Sequence, residues 1–170
     1  MIVGMATHGK EVLESLLEEH RALRDRLREW EAALHQATGS SYGQCQHAIH
    51  VLRDLCRFLE HETRQHIRAE ETVFYTVIEY RLPRLRGLVG ELRHEHDVFH
   101  QAFEEFRREL IHFNTTGELR QLPTLGRELV RILRQHIDRE ERELHPVVLE
   151  EFKEEDWREL RRHFAQSEVT

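Results

Sequence analysis

Cysteine is nearly absent from this chain. The two that occur, Cys45 and Cys56, fall eleven residues apart on one predicted helix. That spacing spans about 16 Å of helix, beyond the reach of a disulfide. They also lack CxxC spacing, so Cys56 reads as a small core residue and Cys45 as a less buried one, which suits a reducing compartment. Proline numbers three and glycine eight, and runs of alternating Val, Ile and Thr are scarce, which argues against a strand-rich fold. No apolar run approaches the roughly 18 residues of a membrane span, and the opening MIVGMATHGK lacks the basic and apolar regions of a signal peptide. A soluble, cytoplasmic protein with no membrane association is therefore expected. Positive charge is in deficit too: 25 Lys and Arg stand against 32 Asp and Glu, a formal net charge of -7. A general nucleic-acid binder needs a basic face to meet phosphates, and the local run RLPRLRG at 81–87 does not supply one.

What the chain does hold is Leu, Glu and Arg in quantity, with 34% of its residues charged, and an unusual 14 histidines. A length of 170 residues fits one domain, 1–170, with a real core. Apolar residues at alternating three- and four-residue spacing predict four long helices. The first runs from about Lys10 to Ala37 and ends at TGSSYG, 38–43. The second, about Gln44 to Tyr80, turns at RLPR. The third covers about Pro83 to Phe113 and closes at NTTGELRQLP. The fourth begins near Pro123, with Pro146 expected to kink or end it. A short fifth, about 154–166, carries Trp157, Leu160 and Phe164 on one face as a cap. The expected fold is all-α: an antiparallel up-down-up-down four-helix bundle over about 10–150, with a short C-terminal fifth helix.

The apolar stripes have polar gaps. They fall at His20 on the first helix, Thr63, His66 and Glu70 on the second, His96 on the third, and His136 and Glu140 on the fourth. Counted from the predicted turn near Leu82, His66 lies 16 residues before and His96 14 after, so the gaps on neighbouring helices come to nearly one depth. Several imidazoles and carboxylates buried together without a partner would cost several kcal/mol of desolvation. A divalent cation removes that cost. The pairs His66/Glu70, His96/His100 and His136/Glu140 are each spaced i,i+4 and project from one helix face. With His20 they make seven candidate ligands, too many for one tetrahedral zinc and suited to two octahedral-type ions. HETRQH at 61–66 misses the zinc-protease spacing HExxH by one residue, and Glu-x-x-His occurs only on the third helix, as ELRH, 91–94, and ELIH, 109–112, with both histidines off the stripe.

Most other histidines (His8, His35, His47, His50, His61, His94, His112, His145, His163) read as surface residues. The stretches HIRAEETVFY from His66 and HIDREERELH from His136 form a repeat offset by seventy residues. A weaker repeat pairs His20 with His96, each preceded by Glu. Tyr75 and His145 occupy matching places in the repeat, which suits outer-sphere groups of the centre, with helix-surface packing as the preferred reading. Glu71 and Glu141, about 100° further round than Glu70 and Glu140, point toward a neighbouring helix's flank or solvent and read as surface charge, with Glu141 the alternative to Glu140 as the fourth-helix ligand.

At these residues the chain resembles the hemerythrin-like family, or HHE cation-binding domain: H, HxxxE, HxxxH and HxxxE in order on four helices, over roughly 10–150. The resemblance implies a centre of two non-haem irons with an oxo or hydroxo bridge. His96, His100 and His136 would hold one iron, and His20 with His66 the other, which keeps an open position. Glu70 and Glu140 would bridge. Oxygen-carrying members place Asp five residues after the fourth-helix histidine, where this chain has Glu140 at four and Glu141 at five. The resemblance therefore favours binding or sensing of O2, nitric oxide or redox state over simple oxygen carriage. An enzyme decomposing peroxide or reactive nitrogen species, an iron-storage or iron-sensing protein, and a helical module with a structural metal are the alternatives. The expected partners are a small diatomic ligand or peroxide and, for signalling, another protein.

Overall fold

The computed structural model describes residues 10–39 and 42–167, and among them every regular element is helical. His8 and residues 40 and 41 of the expected first break lie outside the described residues. Four rods and a cap account for the described residues. The first rod is α1, Lys10–Gly39. The second is made of α2, Tyr42–Ala69, a π-helical turn, Glu70–Phe74, and α3, Tyr75–Arg81. A short 3-10 turn, Pro83–Leu85, leads into the third rod, α4, Arg86–Thr116. The fourth comprises α5, Leu122–Arg139, a second π turn, Glu140–Leu144, and α6, His145–Glu151. The cap is α7, Glu154–Ser167.

The turns between rods follow local chemistry. Pro83, with φ fixed and no N–H to satisfy, opens a first turn where that donor would be orphaned anyway. α4 stops where Gly117 takes the left-handed conformation (φ 74°) and gives its N–H to Phe113 O at 2.7 Å, the closure that glycine permits without a Cβ clash. Asp156 accepts from Lys153 N–H at 2.9 Å at the start of α7. Trp157 and Leu160 then sit buried against the end of the bundle, as the sequence pattern predicts for a cap.

Two departures from a plain α-helical reading matter for function. The second and fourth rods each widen to a π turn that begins on a stripe glutamate. In each, the N–H five residues on bonds back to that glutamate's carbonyl: Tyr75 N–H to Glu70 O and His145 N–H to Glu140 O. A π turn brings residue i+5 round to the face of residue i. Tyr75 and His145 are thereby swung inward and buried, not left on the packing surface. Pro146 neither ends nor sharply breaks the rod: helix continues to Glu151, and the widened turn lies just where a proline ring would otherwise meet the carbonyl four residues earlier.

The apolar interior falls into two clusters. One gathers Leu23, Leu27, Trp30, Leu59, Phe99, Phe103, Leu133 and Ile137 with their neighbours. The other gathers Leu13, Leu16, Val73, Leu92, Leu144, Val148, Trp157 and Leu160. On every rod the boundary between them is a polar residue of the stripe. Thr63 is satisfied within its own helix, Oγ1 donating to Leu59 O at 2.5 Å. Cys56 is buried and Cys45 half-buried, as expected.

Candidate metal centre

His20, His66, Glu70, His96, His136 and Glu140 are all buried, and they converge between the two apolar clusters. The imidazoles meet in pairs, with 3.0 Å between the Nε2 atoms of His20 and His66 and 2.9 Å between those of His96 and His136. Glu70 lies across both pairs. Its Oε1 is 3.0 Å from His66 Nε2 and 3.6 Å from His20 Nε2, and its Oε2 is 3.3 Å from His96 Nε2. Glu140 reaches both pairs through Oε2 alone, 3.2 Å from His20 Nε2 and 3.5 Å from His136 Nε2. Its Oε1 accepts the phenol of Tyr75 at 2.5 Å.

Behind each imidazole stands a carboxylate. Nδ1 of His20 is 3.1 Å from Glu141 Oε1, that of His66 2.7 Å from Glu19 Oε2, that of His96 2.9 Å from Glu71 Oε1, and that of His136 2.9 Å from Glu95 Oε2. A carboxylate there fixes the proton on Nδ1 and turns the Nε2 lone pair inward, the arrangement that orients a metal-ligating histidine. Two of the four carboxylates are themselves braced: Arg24 donates to Glu141 and Arg139 to Glu95, each at 2.7 Å.

With their protons on Nδ1, the facing Nε2 atoms are lone pair against lone pair at hydrogen-bonding distance, which only a cation relieves. The carboxylates say the same. Both oxygens of Glu70 and Oε2 of Glu140 are buried and have no hydrogen-bond partner, a cost of about 1–3 kcal/mol for each neutral group and more for a charged one. In the protein without metal, protons stand in. Burial works against a charged His20, but Glu140 and Glu70 outweigh it and lift the pKa to about 9. His66 is lifted to about 10, against burial, by Glu70 and Glu19. Burial alone would raise Glu70, yet His66, His20 and His96 hold it well below the usual carboxylate range. The donors form two groups whose ligand atoms lie within 4.8 Å of one another: His20, His66, Glu70 and Glu140, and Glu70, His96 and His136. Neutral imidazole and ionised carboxylate are the donor set of a transition-metal site, and the residues fit one.

His100 is not brought to this centre. It is exposed, because the stripe of α4 continues from His96 through Phe99 and Phe103, and four residues of α-helix overshoot that line. Of the two directions that rotation allows Glu71 and Glu141, the neighbouring helix's flank is the one taken: they hold His96 and His20 from the side. Tyr75 and His145, read as packing and surface residues, are fully or nearly fully buried beside the ligands. Their rings stack on His96 and His20 with centroids 5.8 and 5.7 Å apart. The repeat already put them in matching places; the π turns that bring them inward leave no mark in apolar periodicity.

A family model described as the hemerythrin HHE cation binding domain matches residues 11–148, which takes in all six convergent residues. No curated protein and no solved structure matches the chain.

Proposed function

The chain belongs to the hemerythrin HHE cation-binding domain family, and from that premise we propose that it is a non-haem di-iron protein binding or sensing O2, nitric oxide or redox state. The observation that carries this reading is Glu70, whose two oxygens face two separate imidazole pairs. Two donor groups sharing one carboxylate suit two ions better than one. His20 and His66 would hold one iron, His96 and His136 the other, with Glu70 and Glu140 joining them. The four rods are taken as an antiparallel up-down-up-down bundle, in keeping with the near-equal distances of the ligands from the turns. A cytoplasmic setting agrees with the free state of both cysteines.

When bound, the irons would supply ligand binding and one-electron redox chemistry to a site from which the fold excludes bulk water. The chain's own part is orientation and protonation. Glu19, Glu71, Glu95 and Glu141 hold the four Nδ1 protons and thereby keep every Nε2 available. Tyr75 occupies Glu140 Oε1, so that this carboxylate turns its other oxygen to the centre. Expression in iron-replete medium, followed by metal analysis and an optical spectrum, tests the reading. About two irons per chain with oxo-bridged ferric absorption are expected. Stoichiometric zinc without iron would overturn it.

A further inference from the structure

His145 is 2% exposed, and neither ring nitrogen has a hydrogen-bond partner. A neutral imidazole carries one donor and one acceptor, so its burial in this state is costly unless something else binds it. Tyr75 shows what the corresponding place does in the other half. Seventy residues separate the two in sequence. Each follows a π turn, and each stacks nearly parallel on a histidine of the centre, with planes 13° apart for Tyr75 on His96 and 11° for His145 on His20.

The difference is reach. The phenol carries an oxygen beyond its ring and donates it to Glu140. The imidazole is shorter, and Glu70, the repeat's counterpart of Glu140, has no donor on either oxygen. Tyr75, on the His96 side, is engaged by Glu140, a carboxylate that reaches both imidazole pairs; His145, on the His20 side, is left without a partner. A groove of about 710 Å3 between α1, α2 and α7 also reaches His66 and Glu19 from outside.

We propose that His145 is the hydrogen-bonding residue for a small exogenous anion of two or three atoms, bound on the His20/His66 half, whereas the matching Tyr75, stacked on His96, is already engaged by Glu140. This rests on the metal-centre reading above, since the anion would be a ligand of the ion that His20 and His66 hold. One-sided access follows from a single difference between the repeats, imidazole against phenol.

Azide titration of the iron-loaded full chain, followed by absorption with iron content measured on each sample, tests the inference. Wild type is expected to bind azide. His145→Ala keeps its iron and binds azide roughly tenfold to a hundredfold more weakly, the loss of one hydrogen bond to a charged partner. His145→Gln, which retains a donor, recovers most of that loss. His145→Tyr repeats the Tyr75 arrangement, keeps its iron and no longer takes azide. Unchanged azide affinity in the Ala and Tyr variants would overturn the proposal. So would loss of iron from both the Ala and Gln variants, which would make His145 a ligand or a packing residue instead. If wild type holds iron but takes no azide, this inference alone fails; if wild type holds no iron, the metal-centre reading fails first.

Discussion

Glu19 immediately precedes His20 in the chain, yet it holds His66 on the second rod, with 2.7 Å between Oε2 and Nδ1. The same step recurs around the bundle. Glu71 on the second rod holds His96 on the third, Glu95 on the third holds His136 on the fourth, and Glu141 on the fourth returns to His20 on the first. Every rod orients its neighbour's imidazole, and the four braces close a ring.

A break in that ring is expected to show in metal affinity. Glu19→Ala frees the His66 ring to rotate and to change tautomer, and an outer carboxylate of this kind is worth roughly tenfold to a hundredfold in metal binding. Glu18→Ala, its exposed neighbour, should change nothing. Competition with a chelator measures both, and equal affinities would show the brace to be incidental.

His100→Ala is expected to leave iron content intact and stability within about 0.5 kcal/mol, as for an exposed residue. His96→Ala should lose iron. Metal analysis of the two variants side by side decides, and equal losses would return His100 to the ligand set.

Tyr75→Phe removes the donor to Glu140 Oε1 and leaves a buried carboxylate oxygen unpartnered. A loss of about 1–3 kcal/mol is expected from the denaturation midpoint of the metal-free protein. No loss would mean that another donor reaches that oxygen.

Stability of the metal-free protein should fall as pH rises. In the fold, burial opposes protonation of His20 and His66, but the surrounding carboxylates prevail and raise their pKa values from 6.5 to about 9 and about 10. A raised histidine contributes stability that is complete below its unfolded value and is lost through its folded one. The decline is thus expected between about pH 6.5 and pH 10. Metal-loaded protein should hold steady over the same range, because its Nε2 lone pairs are already engaged. Urea midpoints for both forms provide the comparison, and a flat profile without metal would contradict it.

Much of this centre was readable from the order of residues. His20, His66, Glu70, His96, His136 and Glu140 each interrupt an apolar stripe, and a stripe position in an amphipathic helix is a buried position. His100 lies outside the convergent set because an i,i+4 pair is not by itself a shared face; Phe99 and Phe103 occupy the line. Glu71 and Glu141 serve neighbouring rods, and which histidine each one meets depends on the relative rotation of the rods, which spacing does not specify. Tyr75 and His145 face inward only because the pitch changes, and uninterrupted α-helical periodicity places them off the stripe. Pro146, which cannot donate into an α-helical ladder, was the one local sign that the pitch changes there.

The division of the apolar interior into two bodies bears on how the chain unfolds. Leu23, Phe99 and Leu133 lie on one side of the polar layer, and Leu16, Leu92 and Leu144 on the other. Without ions, the buried ligands of the layer join them only through proton-dependent contacts, so either body can open with less help from the other, in the manner of separate cooperative units. Ions held by all four rods would tie the two together, and slow amide exchange would then spread across the whole bundle as one transition.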